Sequence, residues 1–124
     1  MSLFSEKETE YLHVQRLGRL ATIGNDGAPH VVPVGFRLGA DGEAIEVGGH
    51  GMGASKKWRD LQANPRIALV VDDLRSINPW TPRGIEVRGR AEALTEPDVV
   101  IRVHPERVIS WGLVGERDAR TVGR

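Results

Sequence analysis

From Gly84 to Ala93 small or apolar residues alternate with charged ones: Ile85, Val87, Gly89 and Ala91 against Glu86, Arg88, Arg90 and Glu92. A period of two predicts a half-exposed strand. Pro29 to Arg37 (PHVVPVGFR) is different, because its apolar residues fall on both faces. That predicts a strand covered on both sides. Proline cannot donate to a strand ladder, so Pro33 points to an edge or a bulge. Either an ordinary edge protected by its proline, or an edge where a flat ligand or another chain lies, fits this segment. Arg19–Gly24, Glu43–Gly48 and Arg66–Asp73 read as further strands. Val99–Val103 and Arg107–Leu113 continue the β pattern, with a break expected at His104-Pro105. Turns are expected at Asn25-Asp26-Gly27 and Ala40-Asp41-Gly42, and a long loop from Leu74 to Pro82.

Two segments carry helical signals. Ser5 followed by Glu8 has the form of a capping box, and predicts about three turns of helix ending near Gly18. Ser55 is the expected N-cap of a second helix, which Asn64-Pro65 stops because the residue before proline is pushed out of the α region. Six or seven strands at turn-separated intervals, with two short helices, predict a mainly β fold built as a small closed barrel. The expectation is one domain over residues 1–124, with residues 1–4 and 114–124 as flexible ends.

The second helix changes the picture through its charge. It follows the glycine-rich run Gly48-Gly49-His50-Gly51-Met52-Gly53, and Lys56 and Lys57 fall in its first turn. The free N–H groups and the helix dipole already make that end positive, so two lysines there disfavour the terminus by ~0.3–1 kcal/mol each. A bound anion reverses the sign. Glycine turn, hydroxyl cap, N–H groups and paired lysines form a plausible phosphate seat. The other reading is a solvated helix whose lysines face water, and the spacing leaves both open.

Composition narrows the rest. The 124 residues are 40% hydrophobic and 27% charged, enough for one modest core. Acidic and basic residues balance at 17 each, so no overall field draws the chain to nucleic acid or an acidic membrane. There is no cysteine, which removes disulfides and thiol chemistry. No apolar run approaches a membrane span and the first fifteen residues are too charged for a signal peptide, so a cytoplasmic protein is expected. His13, His30, His50 and His104 lack metal-ligand spacing. Asp72-Asp73 reads as a solvated strand terminus whose two side chains point to opposite faces. Trp58, Trp80 and Trp111 read as core or interface anchors. Dinucleotide, P-loop and serine-hydrolase fingerprints are missing, so a bound cofactor is the expected carrier of any chemistry.

The chain resembles the flavin-binding split β-barrel superfamily that includes pyridoxamine 5′-phosphate oxidase. Within it, the likeness is to the branch of deazaflavin (coenzyme F420)-dependent reductases of actinobacteria. The likeness runs from Phe4 to Leu113. It rests on Arg16–Thr22 (RLGRLAT), Pro29–Phe36 (PHVVPVGF), Ser55–Asp60 (SKKWRD) with Asn64-Pro65-Arg66, Pro82–Glu92 (PRGIEVRGRAE), Ile101–Pro105 (IRVHP) and Ser110–Leu113 (SWGL). The VVDDL and PWTPRGIEVRG section is similar to the subgroup that includes a reductase of tetracycline-antibiotic biosynthesis. Thr95–Val100 departs from the pattern, being short where such proteins carry a longer insert.

The resemblance implies a split β-barrel, and a homodimer with two equivalent cofactor clefts at the subunit interface. It implies a ring lying against Val32-Pro33-Val34, and a phosphate held by Ser55, Lys56 and Lys57. Asn78, Pro79, Trp80 and Arg83 are implied to reach the cofactor from the other subunit. His50 is a candidate for a catalytic role and equally for a structural contact to the cofactor. The implied activity is hydride delivery from reduced F420 to an electron-poor double bond of a planar organic substrate. An FMN-binding oxidase or flavin reductase of the same fold is the alternative, and a non-catalytic cofactor or heme carrier is a third. A true pyridoxamine phosphate oxidase is disfavoured, because the chain is short and lacks that enzyme's Arg-x-His motif near its end.

Overall fold

The computed structural model describes residues 3–115 and 117–123. Seven antiparallel strands are β1 (Leu17–Ile23), β2 (Pro29–Leu38), β3 (Ile45–Gly48), β4 (Arg66–Ser76), β5 (Thr81–Leu94), β6 (Val100–Trp111) and β7 (Asp118–Thr121). They run in the order β3-β2-β1-β4-β5-β6-β7, and β3 also pairs with β6. That pairing closes six strands into a barrel and leaves β7 as an extra edge strand. The inward residues Leu20, Ile45, Val47, Leu69, Val71, Ile85, Val87, Ile101, Val103 and Val108 are almost fully buried and form its core. No helix among the described residues is long and apolar enough to cross a membrane.

Helix α1 (Glu6–Val14) begins with the expected capping box, Ser5 and Glu8 satisfying each other's backbone N–H groups. With Gln15 as its C-cap it ends about two residues earlier than a helix with Gly18 at C′ would. Gly18 is not its cap but a buried residue of β1, where a Cβ would come within 3.1 Å of both Leu69 Cδ1 and the Val70 carbonyl. Packing, not helix termination, accounts for that glycine. Helix α2 (Lys56–Ala63) has the expected limits, with Ser55 as N-cap and Asn64 in extended conformation.

Four other expectations need correction. The stretch from Leu74 to Pro82 is mostly strand: β4 runs to Ser76, β5 starts at Thr81, and only Ile77–Trp80 turns. Asp72 and Asp73 therefore lie within a long hairpin and not at a solvated terminus. They do point to opposite sides, Asp72 to Arg19 and Asp73 to Tyr11 and Arg83. The expected break at His104-Pro105 is a bulge inside a continuous β6. Arg88 pairs with Arg107 and Gly89 with Pro105, leaving Glu106 unopposed. Gly89 has to be glycine, since a Cβ would stand 2.1 Å from the His104 carbonyl oxygen. At the far end, the tail expected to fray supplies β7, and Phe4 near the start is buried in the core.

The covered strand is covered on one side only within this chain. Residues 30, 32, 34, 36 and 38 of β2 face inward, whereas Val31 is 62% exposed and Pro33 is exposed on the outer face. β3 pairs only with Gly35–Leu38, so the half of β2 carrying Pro33 bonds to β1 on one side and is a free edge on the other. Proline sits where no partner strand needs its N–H.

Candidate functional site

The glycine-rich run after β3 enters the site through Gly51, whose φ of +67° is reached without strain only by glycine. A 3-10 turn, Met52–Ala54, then delivers the chain to Ser55. The Ser55 hydroxyl donates to the Met52 carbonyl at 2.7 Å and accepts from the Trp58 N–H at 3.3 Å. Both of its hydrogen-bonding roles are thus spent on shaping the helix start. The N–H groups of Lys56 and Lys57, ahead of Trp58, have no intrahelical acceptor and point out of the helix. No acidic residue stands in this first turn.

The two lysines differ. Lys56 Nζ leans along its own helix to Asp60 Oδ1, 3.0 Å away. Lys57 is half-buried and makes no ion pair among the described residues. Asp60 is 5% exposed and also accepts a hydrogen bond from Thr22 Oγ1 at 2.8 Å. Burial pushes its carboxyl up, but the Thr22 hydroxyl and the Lys56 ammonium outweigh burial and hold it below the usual aspartate value. His30 Nδ1 lies 3.8 Å from Asp60 Oδ2 and is buried without a hydrogen-bond partner. Since His30 precedes Val32 by two residues, this cluster ties α2 to the free-edged half of β2. That contact involves Asp60, a turn beyond Ser55 and Lys57, and the inward face of β2, while Pro33 lies on the outer face. Val34 itself points into the core, and His50 sits in the exposed turn after β3.

Asn78, Pro79 and Trp80 occupy the tip of the β4–β5 hairpin, where Trp80 is 69% exposed and Ile77 75% exposed. The eleven residues of β4 span ~35 Å from the end of α2 to this tip. The eight residues of α2 return at most ~12 Å of that. One chain therefore does not bring the hairpin tip to the lysine seat. Arg83 is engaged nearby: Nε and Nη2 bond both oxygens of Asp73 at 2.8 and 3.1 Å, and its guanidinium lies 5.0 Å from the Tyr11 ring centre. Arg83 holds the Asp73 carboxyl below its ordinary value against burial, with help from the Tyr11 hydroxyl. Burial and Asp73 in turn push the Tyr11 hydroxyl well up.

The Asp60, Thr22 and His30 cluster is not part of the sequence expectation. Lys56 and Asp60 are four apart on a helix, the spacing of an ion pair, and that signal was present. Nothing in the spacing placed Thr22 or His30 beside them. Of the tryptophans, Trp58 packs against the core, Trp111 is half-buried, and Trp80 is largely exposed. No cluster of metal-ligating side chains occurs among the described residues.

The family model described as pyridoxamine 5′-phosphate oxidase matches residues 4–112. The chain belongs to the pyridoxamine 5′-phosphate oxidase family. It is 40% identical over 122 residues to a 5a,11a-dehydrotetracycline/5a,11a-dehydrooxytetracycline reductase of Streptomyces rimosus, covering 91% of this chain and 86% of that protein. Among solved structures, a conserved hypothetical protein of Mycobacterium tuberculosis is 25% identical, with a TM-score of 0.74 over 91% of this chain and 88% of the other. A structure of an F420 reductase is 26% identical, with a TM-score of 0.65 over 85% of this chain and 98% of the other. The barrel described above is this family's flavin-type fold.

Proposed function

We propose that this protein is an oxidoreductase that uses reduced coenzyme F420 to deliver hydride to an electron-poor double bond of a planar organic substrate. The observation that carries the reading is the 40% identity, over nearly the whole chain, to a reductase of a tetracycline-type molecule. The likeness to an F420 reductase supports the choice of deazaflavin. Lys57 and the open N–H groups of α2 would hold the cofactor's phosphate, and the exposed Pro33 edge would support its ring. When bound, reduced F420 supplies the hydride. The protein's task is then alignment of two flat molecules, which needs no nucleophile or metal. Planar polycyclic compounds are the substrate class to try first.

The same reading makes the protein a homodimer with its clefts shared between subunits. Two features support it: the hairpin tip lies too far from the seat of its own chain, and Leu17, Val31, Ile77 and Trp80 are all more than half exposed. A partner's tip carrying Asn78, Pro79 and Trp80 would supply what one chain lacks.

The test is a turnover assay with the full-length protein, reduced F420 and a dehydrotetracycline-type acceptor, followed by loss of reduced-cofactor absorbance. Transfer is expected, with slow reaction of the reduced complex toward oxygen. Protein that purifies yellow with FMN and consumes oxygen rapidly would overturn the deazaflavin reading in favour of an FMN oxidase.

A further inference from the structure

The first turn of α2 carries two lysines, and the fold removes one of them from the seat. Lys56 Nζ stands 3.0 Å from Asp60 Oδ1, and its ammonium lies beside the Gly24 turn, 3.5 Å from where a Cβ of that residue would be. It therefore leans back along the helix and away from the open N–H groups. Asp60 is fixed in place, being 5% exposed and bonded by Thr22 Oγ1. His30, the other titratable group facing this carboxylate, presents a buried nitrogen with no hydrogen-bond partner. Arg59, also on α2, is exposed and holds the Ala54 carbonyl at 3.0 Å. Lys57 alone of the first-turn cations is uncommitted among the described residues.

We propose that Asp60 sets the cofactor preference of this chain: by holding Lys56 it lowers the charge of the α2 seat by one, and so favours a singly charged phosphodiester over a doubly charged phosphomonoester. This rests on the reading of α2 as the phosphate seat. The two candidate cofactors differ in this respect, since F420 carries its phosphate as a diester with one negative charge. FMN carries a monoester, which is mostly a dianion at neutral pH because the second ionisation of such groups lies near ~6. An added cation at the seat attracts the dianion about twice as strongly as the monoanion at the same distance.

Asp60→Asn tests this, because the amide still accepts from Thr22 but releases Lys56. Dissociation constants of full-length protein for FMN and for F420 are measured by equilibrium fluorescence titration at fixed ionic strength. Asp60→Asn is expected to move the ratio of the two constants about three- to tenfold toward FMN. The double variant Lys56→Gln/Asp60→Asn restores the seat's charge, and its ratio is expected to return to within about twofold of the wild type. An unmoved ratio in Asp60→Asn overturns the proposal. So does a ratio that stays shifted in the double variant, since Asp60 would then act only through structure. If Asp60→Asn does not fold, Asp60→Ser, which also removes the charge that holds Lys56, is measured in its place: the same shift toward FMN is expected, and an unmoved ratio overturns the proposal. Lys57→Ala separates this from the seat itself. If it leaves both constants unchanged the seat is wrong and the proposal falls with it. If it weakens both while Asp60→Asn leaves the ratio fixed, the seat stands and only the role of Asp60 is lost.

Discussion

Arg120 joins the last strand to the first helix, and its removal has a cost that can be worked from the contacts. Its guanidinium bonds both oxygens of Glu8, one at 3.0 Å, and donates to the Leu3 carbonyl at 2.9 Å and to Asp118 at 2.6 Å. The Glu8 side chain is only 3% exposed, whereas that of Arg120 is 31% exposed. Arg120→Met leaves the carboxylate buried with only its bonds from the Ser5 N–H and the Ser110 hydroxyl and no counter-charge. Breaking a fully buried ion pair costs ~3–5 kcal/mol, and the partial exposure of Arg120 lowers this to about 2–4 kcal/mol. For 124 residues the unfolding entropy is about 0.26 kcal/mol/K, so the melting temperature is expected to fall by ~8–15 °C.

Thermal melts at fixed protein concentration measure this, and pH supplies a second reading. Burial pushes the Glu8 carboxyl up, but Arg120 and the Ser5 N–H hold it below its ordinary value of 4.5 in the folded protein. A depressed carboxylate adds stability that is fully present above pH 4.5 and is lost as the pH falls through the folded value. In Arg120→Met the carboxyl loses its main counter-charge and can protonate, so the gap between variant and wild type should narrow toward pH 4. A loss below about 3 °C at pH 7, or a gap independent of pH, would refute the assignment of this pair as a structural latch.

Three other substitutions have expected outcomes. Lys57→Ala should weaken F420 binding by about 1–3 kcal/mol without lowering the melting temperature of the free protein, as read by titration and thermal melts. Gly89→Ala places a methyl against the His104 carbonyl and should destabilise the barrel by ~2 kcal/mol or more, visible as a lower melting temperature. Trp80→Ala should weaken self-association in sedimentation at low micromolar concentration while leaving the barrel intact; an unchanged oligomeric state would remove Trp80 from the interface.

Much of the barrel was legible because its signals are local. The alternation in β5, the capping box of α1, and the Ser55 start and Asn64-Pro65 stop of α2 depend on nearest neighbours in the chain. The misreadings came where a distant segment decides the outcome. Leu74 to Pro82 carries two prolines and reads as a loop, yet β4 and β5 pair from Arg66 to Thr81 because Val71, Ile85 and their neighbours bury a shared face. His104-Pro105 reads as a break, but a bulge opposite Gly89 absorbs the proline. The tail reads as a frayed end because what holds it is distant in sequence: β7 pairs with β6, and Arg120 reaches Glu8, 112 residues away.

The site divides along the same line. Paired lysines in the first turn of a helix, behind a glycine run and a serine cap, point to an anion from sequence alone. Their inequality does not, because it depends on Thr22 from β1 fixing Asp60 beneath Lys56. Pro33 is the converse case. Its edge position was readable from the chemistry of proline, but which half of β2 is free depends on where β3 stops, at the Gly35–Gly48 pair. The proposed cleft joins the free edge of β2 to a helix start with one uncommitted lysine, while the exposed tryptophan stands at the far end of β4. If the proposed cleft is real, it has to be completed by a second chain. Cofactor binding and self-association must then be linked, each strengthening the other. Sedimentation of the full-length protein with and without F420 reads that linkage: a stable monomer that binds the cofactor at full affinity would leave the hairpin tip without a role in the site.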